Sequence, residues 1–244
     1  LYQVEDFNYD AATKTYTLKD GVPYHGDKKN IQPGYWKFKN VDGSEDNQIT
    51  ESDKTIIGNA LPDFYGGINN TFNWKDFDLS IFFTYSYGAE VLNATKLTNT
   101  KTALTNKNVL SVADEAHRWV TINANGELIT NPEELAAVNR GKTIAHFGDN
   151  GSNNTYIHSW AIEDASYLKL SNITLGYTFP KKVINKIGLT KLRLYATGNN
   201  LFTWTPYTGF DPEVSTMSSA LTPGVDFGAY PRSRSFVFGV NVAF

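Results

Sequence analysis

Apolar and polar residues alternate with a period of two over long stretches of this chain. From Phe77 to Tyr87 every second residue is apolar or aromatic, and most residues between them are small or polar. The stretch 235–244 repeats the pattern, with Phe236 and Phe238 on its apolar side. Successive side chains of a β-strand point to opposite faces of a sheet, so the pattern predicts strands with one apolar and one polar face.

Five such strands are predicted, at Phe64–Trp74, Phe77–Tyr87, Tyr167–Phe179, Leu192–Trp204 and 235–244. A typical soluble strand has about 5–6 residues, whereas a strand that crosses a bilayer at a tilt needs about 9–11. The apolar sides carry no charge, as contact with lipid requires. A soluble β-sandwich also alternates on its inner faces, but strand length and aromatic content favour an antiparallel transmembrane barrel. Shorter strands are predicted near 1–9, 14–18 and 35–39.

The links between the strands alternate in length. Lys75 and Asp76 alone join the first pair, and a modest segment that begins at Pro180 joins the third and fourth strands, whereas 88–166 and 205–234 are long. Outer-membrane barrels have short periplasmic turns and long extracellular loops. We therefore expect 88–166 and 205–234 to be extracellular loops and the C-terminal strand 235–244 to end in the periplasm. Aromatic residues at the strand ends fit two interfacial girdles: Trp74, Phe77 and Phe179 at one end, and Tyr85, Tyr87 and Trp204 at the other.

The first long link contains a predicted helix. Asn131 supplies a cap, Pro132 and two acidic residues follow, and Gly141 stands just past the end. Gly141-Lys142-Thr143 is not a phosphate-binding loop, because Ala136 occupies the place of the first glycine and no buried strand precedes it.

Composition narrows the function classes. The 244 residues are 41% hydrophobic, 14% aromatic and 19% charged, with a net charge of -3 and no cysteine. This balance excludes a polybasic nucleic-acid binder and a disordered, charge-solvated chain. Without cysteine there is no disulfide framework and no cysteine-based zinc site. The four histidines lack metal-ligand spacing and no catalytic motif is visible, so we expect a protein that is not an enzyme.

One segment, within the predicted extracellular loop 40–54, has the spacing of a calcium-binding loop. Side-chain or backbone oxygens fall at the ligand positions of an EF-hand-type loop in Asp42, Ser44, Asp46, Gln48, Thr50 and Asp53. Asn47 replaces the usual turn glycine and Asp53 the usual bidentate glutamate. Calcium is the only cofactor that the sequence suggests. The alternative is a polar loop whose side chains bond their own backbone.

Several strings resemble the C-terminal part of SusC/RagA-type TonB-dependent transporters of Bacteroidota. They are DKTIIGNALPDFYGGINNTFNWKDFDLSIFFTYSYG (53–88), EDASYLKLSNITLGYTFP (163–180), LRLYATGNNLFTWTPYTGFDPEV (192–214) and the ending YPRSRSFVFGVNVAF (230–244). The family's frequent Asp-x-Asn-Gly-Asp-Gly loop corresponds to residues 42–47, where Ser44 and Asn47 depart from it.

The resemblance implies a multi-pass outer-membrane barrel of about 22 strands with a plug domain that has no counterpart in these residues. It further implies a SusD-like surface lipoprotein partner, the TonB complex, and import of glycans or peptides. Arg193, Tyr195, Thr197 and Asn199 are then expected on the wall that faces the plug and the substrate. The alternative function is a soluble, calcium-stabilised β-domain that binds carbohydrate.

Overall fold

Long antiparallel strands organise residues 58–94 and 159–244 of the computed structural model, which describes residues 1–100, 108–147, 156–217 and 221–244. These two stretches form one unit, and residues 1–57 together with 95–158 form the other. No helix within the described ranges has the length and hydropathy of a transmembrane span.

The strands and helices are, in chain order, β1 (Phe7–Asp10), β2 (Thr15–Leu18), β3 (Tyr24–His25), β4 (Gln48–Ile49), β5 (Phe64–Trp74), β6 (Phe77–Tyr87), β7 (Glu90–Asn93), α1 (Ala94–Asn99), α2 (Pro132–Val138), β8 (Ile162–Asp164), β9 (Tyr167–Thr178), α3 (Lys181–Ile184), β10 (Lys191–Trp204), β11 (Val225–Asp226) and β12 (Ser235–Ala243).

The five long strands make one antiparallel sheet in the order β12-β10-β9-β6-β5. Each strand pairs with the next long strand along the chain, as in an up-and-down barrel wall. All five predicted long strands are therefore confirmed, and their ends agree with the prediction to within one residue. The length of the alternating pattern was sufficient to locate them, because only an extended strand keeps period two over eleven residues.

The register divides the side chains of this sheet between two faces. Residues directly opposite each other in an antiparallel pair share a face. The apolar face, defined in this way, carries Phe64, Ile68, Phe72 and Trp74 of β5; Phe77, Leu79, Ile81, Phe83, Tyr85 and Tyr87 of β6; Leu168, Leu170, Ile173, Leu175 and Tyr177 of β9; Leu192, Leu194, Ala196, Phe202 and Trp204 of β10; and Phe236, Phe238, Val240 and Val242 of β12. The opposite face is the polar face.

Side chains of the apolar face remain accessible instead of forming a core. Phe238 is 80% exposed, Phe236 67% and Trp74 66%. Leu79 and Phe83, in the middle of the sheet, are only half-buried. The buried hydrophobic clusters of the described residues lie elsewhere, around Tyr2, Trp119 and Val91. A β-sandwich would bury this face against a second sheet, and the exposure argues against that arrangement.

An irregularity in β9 allows its apolar residues to change parity. Leu168 and Leu170 are even-numbered, whereas Ile173 and Leu175 are odd-numbered, yet all four lie on the apolar face. The pairing with β6 shifts at Ser171, so one extra residue is accommodated there. The change from even to odd apolar positions across two polar residues was a visible signal that the sequence analysis did not use.

The unit of residues 1–57 and 95–158 has small cores of its own. Tyr2, Phe7, Leu18 and Ile31 pack together beside the β1–β2 hairpin, and Trp119 packs with Ile129 and Leu135 of α2. The predicted helix is confirmed, and its cap works as expected, because the Asn131 side chain accepts hydrogen bonds from two backbone N–H groups. Gly141 adopts a φ of 81° past the helix end, as a helix stop requires.

One predicted short strand is wrong. The prediction near 14–18 corresponds to β2, and that near 1–9 holds only from Phe7, where β1 begins, because Val4–Asp6 form a 3-10 helix. Residues 35–39 form no strand. Alternation at 35–39 has no strand beside it to complete a ladder of hydrogen bonds, which a strand needs and a short pattern cannot guarantee.

Candidate functional site

The polar face carries a hydrogen-bonded ladder across β9, β10 and β12. The hydroxyl groups of Thr174 and Thr197 lie 2.8 Å apart. The Asn172 amide donates to the Asn199 side-chain oxygen at 2.8 Å, and Asn199 in turn donates to the Ser235 hydroxyl at 3.1 Å. Pairs of this kind on directly opposed strand positions stabilise a sheet while leaving a polar surface.

An ion pair bridges β6 and β10 across β9 on the same face. The Arg193 guanidinium donates two hydrogen bonds to Asp78, one of them from Nε to Oδ1 at 2.9 Å. Gly176 of β9 lies directly beneath the pair, and a Cβ atom there would collide with both side chains. The bidentate geometry fixes both groups in one orientation. The ion pair therefore stabilises the register of the three strands, and that register in turn places the two groups within reach of each other.

Aromatic rings cover other glycines of the sheet. The Tyr195 ring lies over Gly239 so closely that a Cβ at residue 239 would overlap it, and the Arg193 guanidinium stands 5.2 Å from the centre of the Tyr195 ring. Arg193, Tyr195, Thr197 and Asn199 thus share the polar face as predicted. The partners Asp78, Gly176 and Gly239 were not predicted, because pairing across strands depends on register.

The segment after β10 is attached to the polar face by one carboxylate. Glu213 accepts hydrogen bonds from the Lys169 ammonium at 2.6 Å and from the Tyr167 hydroxyl at 2.9 Å. Arg232 lies 3.2 Å from the same carboxylate. The Lys169 side chain is only 5% exposed, so it depends on this partner. Burial raises the pKa of Glu213, but the hydrogen bonds from Lys169 and Tyr167 outweigh it and hold the pKa below its usual range.

A second buried contact holds the next part of that segment. The Tyr207 hydroxyl donates to the Asp226 carboxylate at 2.6 Å, and burial together with this bond raises the pKa of Tyr207. Asp226 belongs to β11, which pairs in parallel with β7, and β7 pairs with β8. Residues 205–217 and 221–234 therefore contain ordered structure, which shares a three-stranded sheet with β7 and β8 and packs Tyr207 against Val91. Sequence reasoning missed Lys169 and Glu213, although a lysine between two leucines of a membrane-type strand was a usable signal.

The predicted calcium loop is ordered by hydrogen bonds to its own backbone. Asp42 accepts from the N–H of Ser44 at 2.9 Å, and Asp46 accepts from that of Gln48 at 3.0 Å. The Thr50 hydroxyl accepts from the N–H of Ser52. Asn47 adopts a φ of 56°, the left-handed conformation that this turn position requires. The Ser44 hydroxyl is buried and has no hydrogen-bond partner.

Asp53, the last predicted ligand, accepts hydrogen bonds from the backbone. One of its oxygens accepts from Val41 N–H at 2.7 Å and the other from Thr50 N–H at 2.8 Å. These bonds, that from Thr50 first, lower the pKa of Asp53. Among the described residues no group of three or more histidine, cysteine, aspartate or glutamate side chains could hold a metal ion. In this arrangement the six residues do not fit a calcium cage, and calcium binding stays a prediction.

The sequence comparisons point to one group of proteins. No family model matches the chain. TonB-dependent receptor P3 of Formosa agariphila is 34% identical over 217 residues, which are 87% of this chain and 19% of the relative. TonB-dependent receptor P39 of the same organism is 31% identical over 97% of this chain and 22% of the relative. TonB-dependent receptor SusC of Bacteroides thetaiotaomicron is 29% identical over 84% of this chain and 17% of the relative. The chain thus spans about a fifth of the length of these curated relatives.

Solved structures show the same fold. The RagAB peptide transporter superposes with a TM-score of 0.60 at 21% identity, over 81% of this chain and 19% of that one. The RagAB peptide importer in its closed-closed state gives a TM-score of 0.62 at 22% identity, over 81% of this chain. The fold class is therefore confirmed: the chain is mainly antiparallel β-structure similar to part of the RagA barrel.

The glycine beneath the ion pair gives a test of the polar face. Gly176→Ala should displace Asp78 or Arg193 and lower the free energy of unfolding by about 1–3 kcal/mol, as overpacking does. Gly198→Ala is the matched control, because the atoms nearest to its added Cβ belong to the Leu201 side chain, at 3.0 Å and beyond. Denaturation of the full-length protein in detergent, followed by tryptophan fluorescence, measures both. Equal stability of the two variants would contradict the proposed strain.

The Glu213 carboxylate gives a test of the attached segment. Glu213→Gln leaves the Lys169 ammonium buried without its counter-charge and should cost about 2–3 kcal/mol. Hydrogen exchange should then speed up within 205–217. Arg232→Gln, at the 55% exposed partner, should cost less than about 1 kcal/mol.

The same carboxylate predicts a pH dependence. Its folded pKa lies below the unfolded value, so its stabilisation is complete above about pH 4.5 and is lost as the pH falls through the folded pKa. The protection of 205–217 against exchange, relative to the intrinsic rate at each pH, should therefore fall in acid in the wild type and be already low at pH 7 in Glu213→Gln. Slow exchange in the variant at pH 7 would show that Glu213 does not hold the segment.

Proposed function

Because this chain belongs to the SusC/RagA-like TonB-dependent receptors, of which it spans about a fifth, we propose that it forms C-terminal strands of an outer-membrane barrel that imports a nutrient. The observation that carries the proposal is the apolar face of the five-stranded sheet. It runs from one end of the long strands to the other and remains exposed. Water is a poor solvent for such a surface, and the hydrocarbon of a bilayer is a good one.

The dimensions of the strands support the proposal. β6 has eleven residues, which at about 3.4 Å per residue give a length of roughly 34 Å. A tilt of about 40° reduces this to a height of roughly 26 Å, close to the apolar band of about 25 Å in outer-membrane barrels. No physical constraint requires a strand of a soluble protein to match that height.

The open edges of the sheet indicate that further strands complete the barrel. Within the described residues no strand pairs with the outer edge of β5 or of β12. In lipid, each unpaired backbone group costs several kcal/mol. We therefore propose that residues outside these 244 supply the neighbouring strands and the plug.

The lengths of the links support a proposed sidedness of the barrel wall. Lys75-Asp76 and the segment 179–190 lie at one end of the strands, and β12 also ends there, where Ala243 pairs with Lys191. Short links and the C-terminus are assigned to the periplasm. The segments 88–166 and 205–234 are then extracellular.

The proposed activity is TonB-dependent uptake of a glycan or a peptide, without catalysis by this chain. RagAB is described as a peptide importer and SusC as a TonB-dependent receptor. By analogy we propose a SusD-like surface lipoprotein as the partner of the extracellular segments. The polar face, with its ladder from Thr174 to Ser235, would then face the plug and the transported molecule.

Calcium binding in 42–53 is a separate proposal. It requires the carboxylates of this loop to bind the metal ion instead of the backbone N–H groups from which they now accept hydrogen bonds. Coordination would draw Asp53 away from the N–H groups of Val41 and Thr50, so we expect added Ca²⁺ to speed up hydrogen exchange at these two amides in the wild type. The double variant Asp42→Asn and Asp46→Asn should not respond. A wild type that is equally unresponsive would leave the interpretation as a self-bonded polar loop.

Two adjacent residues of β12 test the membrane-facing assignment. Phe238 lies on the apolar face and Val237 on the polar face, both near the middle of the strand. Phe238→Lys should cost about 2–4 kcal/mol in the bilayer and greatly reduce the folded receptor in the outer membrane. Val237→Lys, the matched control, should assemble nearly as well as the wild type.

The amount of folded receptor in isolated outer membranes measures the difference. Equal assembly of the two lysine variants, or a chain that is monodisperse in plain buffer, would contradict a membrane-facing apolar face.

A further inference from the structure

A shallow cavity of about 390 Å³ opens at the end of the sheet that is distant from the short links. It lies where β5 begins and where β6 and β10 end. Its lining is Phe64, Tyr85, Ser86, Tyr87, Ser166, Tyr167, Trp204, Thr205 and Pro206. The volume falls within the range of small-molecule sites, about 300–1,000 Å³.

The lining combines aromatic rings with neutral hydroxyl groups. Phe64 and Tyr87 stack at a centroid distance of 5.1 Å, and Tyr85 meets Phe64 edge-on at 6.2 Å. Phe64, Tyr85, Tyr87 and Trp204 belong to the apolar face. No lining residue is charged. Flat rings with hydroxyl groups beside them suit a sugar ring, which has an apolar C–H face and a polar rim.

A cation stands beside this cavity on the same face. Arg234 comes directly before β12, and its guanidinium lies 5.4 Å from the centre of the Phe202 ring. Phe202 stacks on Trp204 of the cavity wall at 6.1 Å. Among the described residues no carboxylate forms an ion pair with Arg234, although the neighbouring Arg232 has two such partners. A guanidinium that is held over a ring and has no counter-charge is well suited to a phosphate or carboxylate group.

We propose that this cavity and the neighbouring Arg234 together bind the anionic sugar headgroup of a glycolipid in the outer leaflet of the membrane. The sugar would pack on Trp204 and Tyr87, Arg234 would bind the anionic group, and the acyl chains would continue along the apolar face. The inference rests on the proposed function, because it needs the apolar face to lie in a bilayer with this end outermost. Continuity of the cavity with that face favours a lipid over a free saccharide, and the rings favour a sugar over a plain phospholipid.

The opposite end of the sheet supplies a matched control. There Lys75 stands 4.7 Å from the ring of Trp74, so both ends place a cation on an aromatic ring at the limit of the apolar face. Of the two tryptophans, Trp204 lines the cavity and Trp74 does not. A general preference of aromatic and basic residues for interfaces would act equally at both ends, whereas a site for a sugar headgroup acts only at one.

The experiment uses the full-length receptor in lipid nanodiscs and counts retained lipids by native mass spectrometry. Three probes are compared: a phosphorylated diglucosamine glycolipid, phosphatidylglycerol, and the free phosphorylated disaccharide. The wild type should retain the glycolipid preferentially. Arg234→Gln should weaken retention roughly tenfold, as expected for one charge-assisted hydrogen bond, and Trp204→Leu should weaken it to a similar degree. Lys75→Gln and Trp74→Leu should leave it unchanged.

Each outcome separates this inference from the function on which it rests. Equal retention of phosphatidylglycerol, or loss in the Lys75 and Trp74 variants as well, overturns the site while the receptor still inserts. Binding of the free disaccharide as tightly as the glycolipid overturns the lipid as occupant. A receptor that does not enter nanodiscs at all overturns the membrane-facing sheet and with it the site. Arg234→Gln removes an exposed charge and is expected to fold, so its result stands even where Trp204→Leu assembles poorly.

Discussion

The structure depends on a continuous apolar surface that no other part of its own sheet covers. Each buried square ångström of such a surface contributes about 25 cal/mol, and side chains such as Phe236, Phe238 and Phe72 leave most of this contribution unrealised in water. The same strands satisfy their backbone groups only toward their neighbours in the sheet. An apolar solvent around a sheet that continues at both edges meets both requirements, and this constraint connects the fold to the proposed place in the outer membrane.

The polar face is held together by a different set of interactions. Here small residues make room for large or charged ones, as where Gly176 leaves space for the Asp78–Arg193 pair and Gly239 accepts the ring of Tyr195. Hydroxyl and amide ladders connect neighbouring strands and still leave donors and acceptors on the polar face. These contacts leave the polar face accessible to water, as the proposed contact with a plug or a transported molecule would require. Pairs that span three strands also make the register more specific than backbone bonding alone.

The described residues that follow β10 are held by specific side-chain contacts. Lys169 on the wall meets Glu213 beyond β10, and Tyr207 meets Asp226 of the small sheet. These contacts are buried and charge-assisted, so each is strong but also costly to break on one side only. A segment held in this way keeps a fixed shape, which is what the proposed contact with a surface partner would require. These contacts give residues 205–217 and 221–234 structure that the length of a link alone would not predict.

The sequence by itself determined the five long strands, their two faces and the helix at Pro132–Val138, because these depend on period-two alternation and on local capping. It also indicated the family, through strings that the relatives share. Only the tertiary structure decided which residues of different strands meet, since register and the bulge at Ser171 depend on pairing along the whole sheet. The partners of Arg193 and Lys169, and the use of Asp53 as a backbone acceptor instead of a free ligand, belong to this second group. Spacing along the chain indicates which oxygens could converge on a metal ion. The backbone N–H groups that compete for these oxygens are brought close only when the loop is folded.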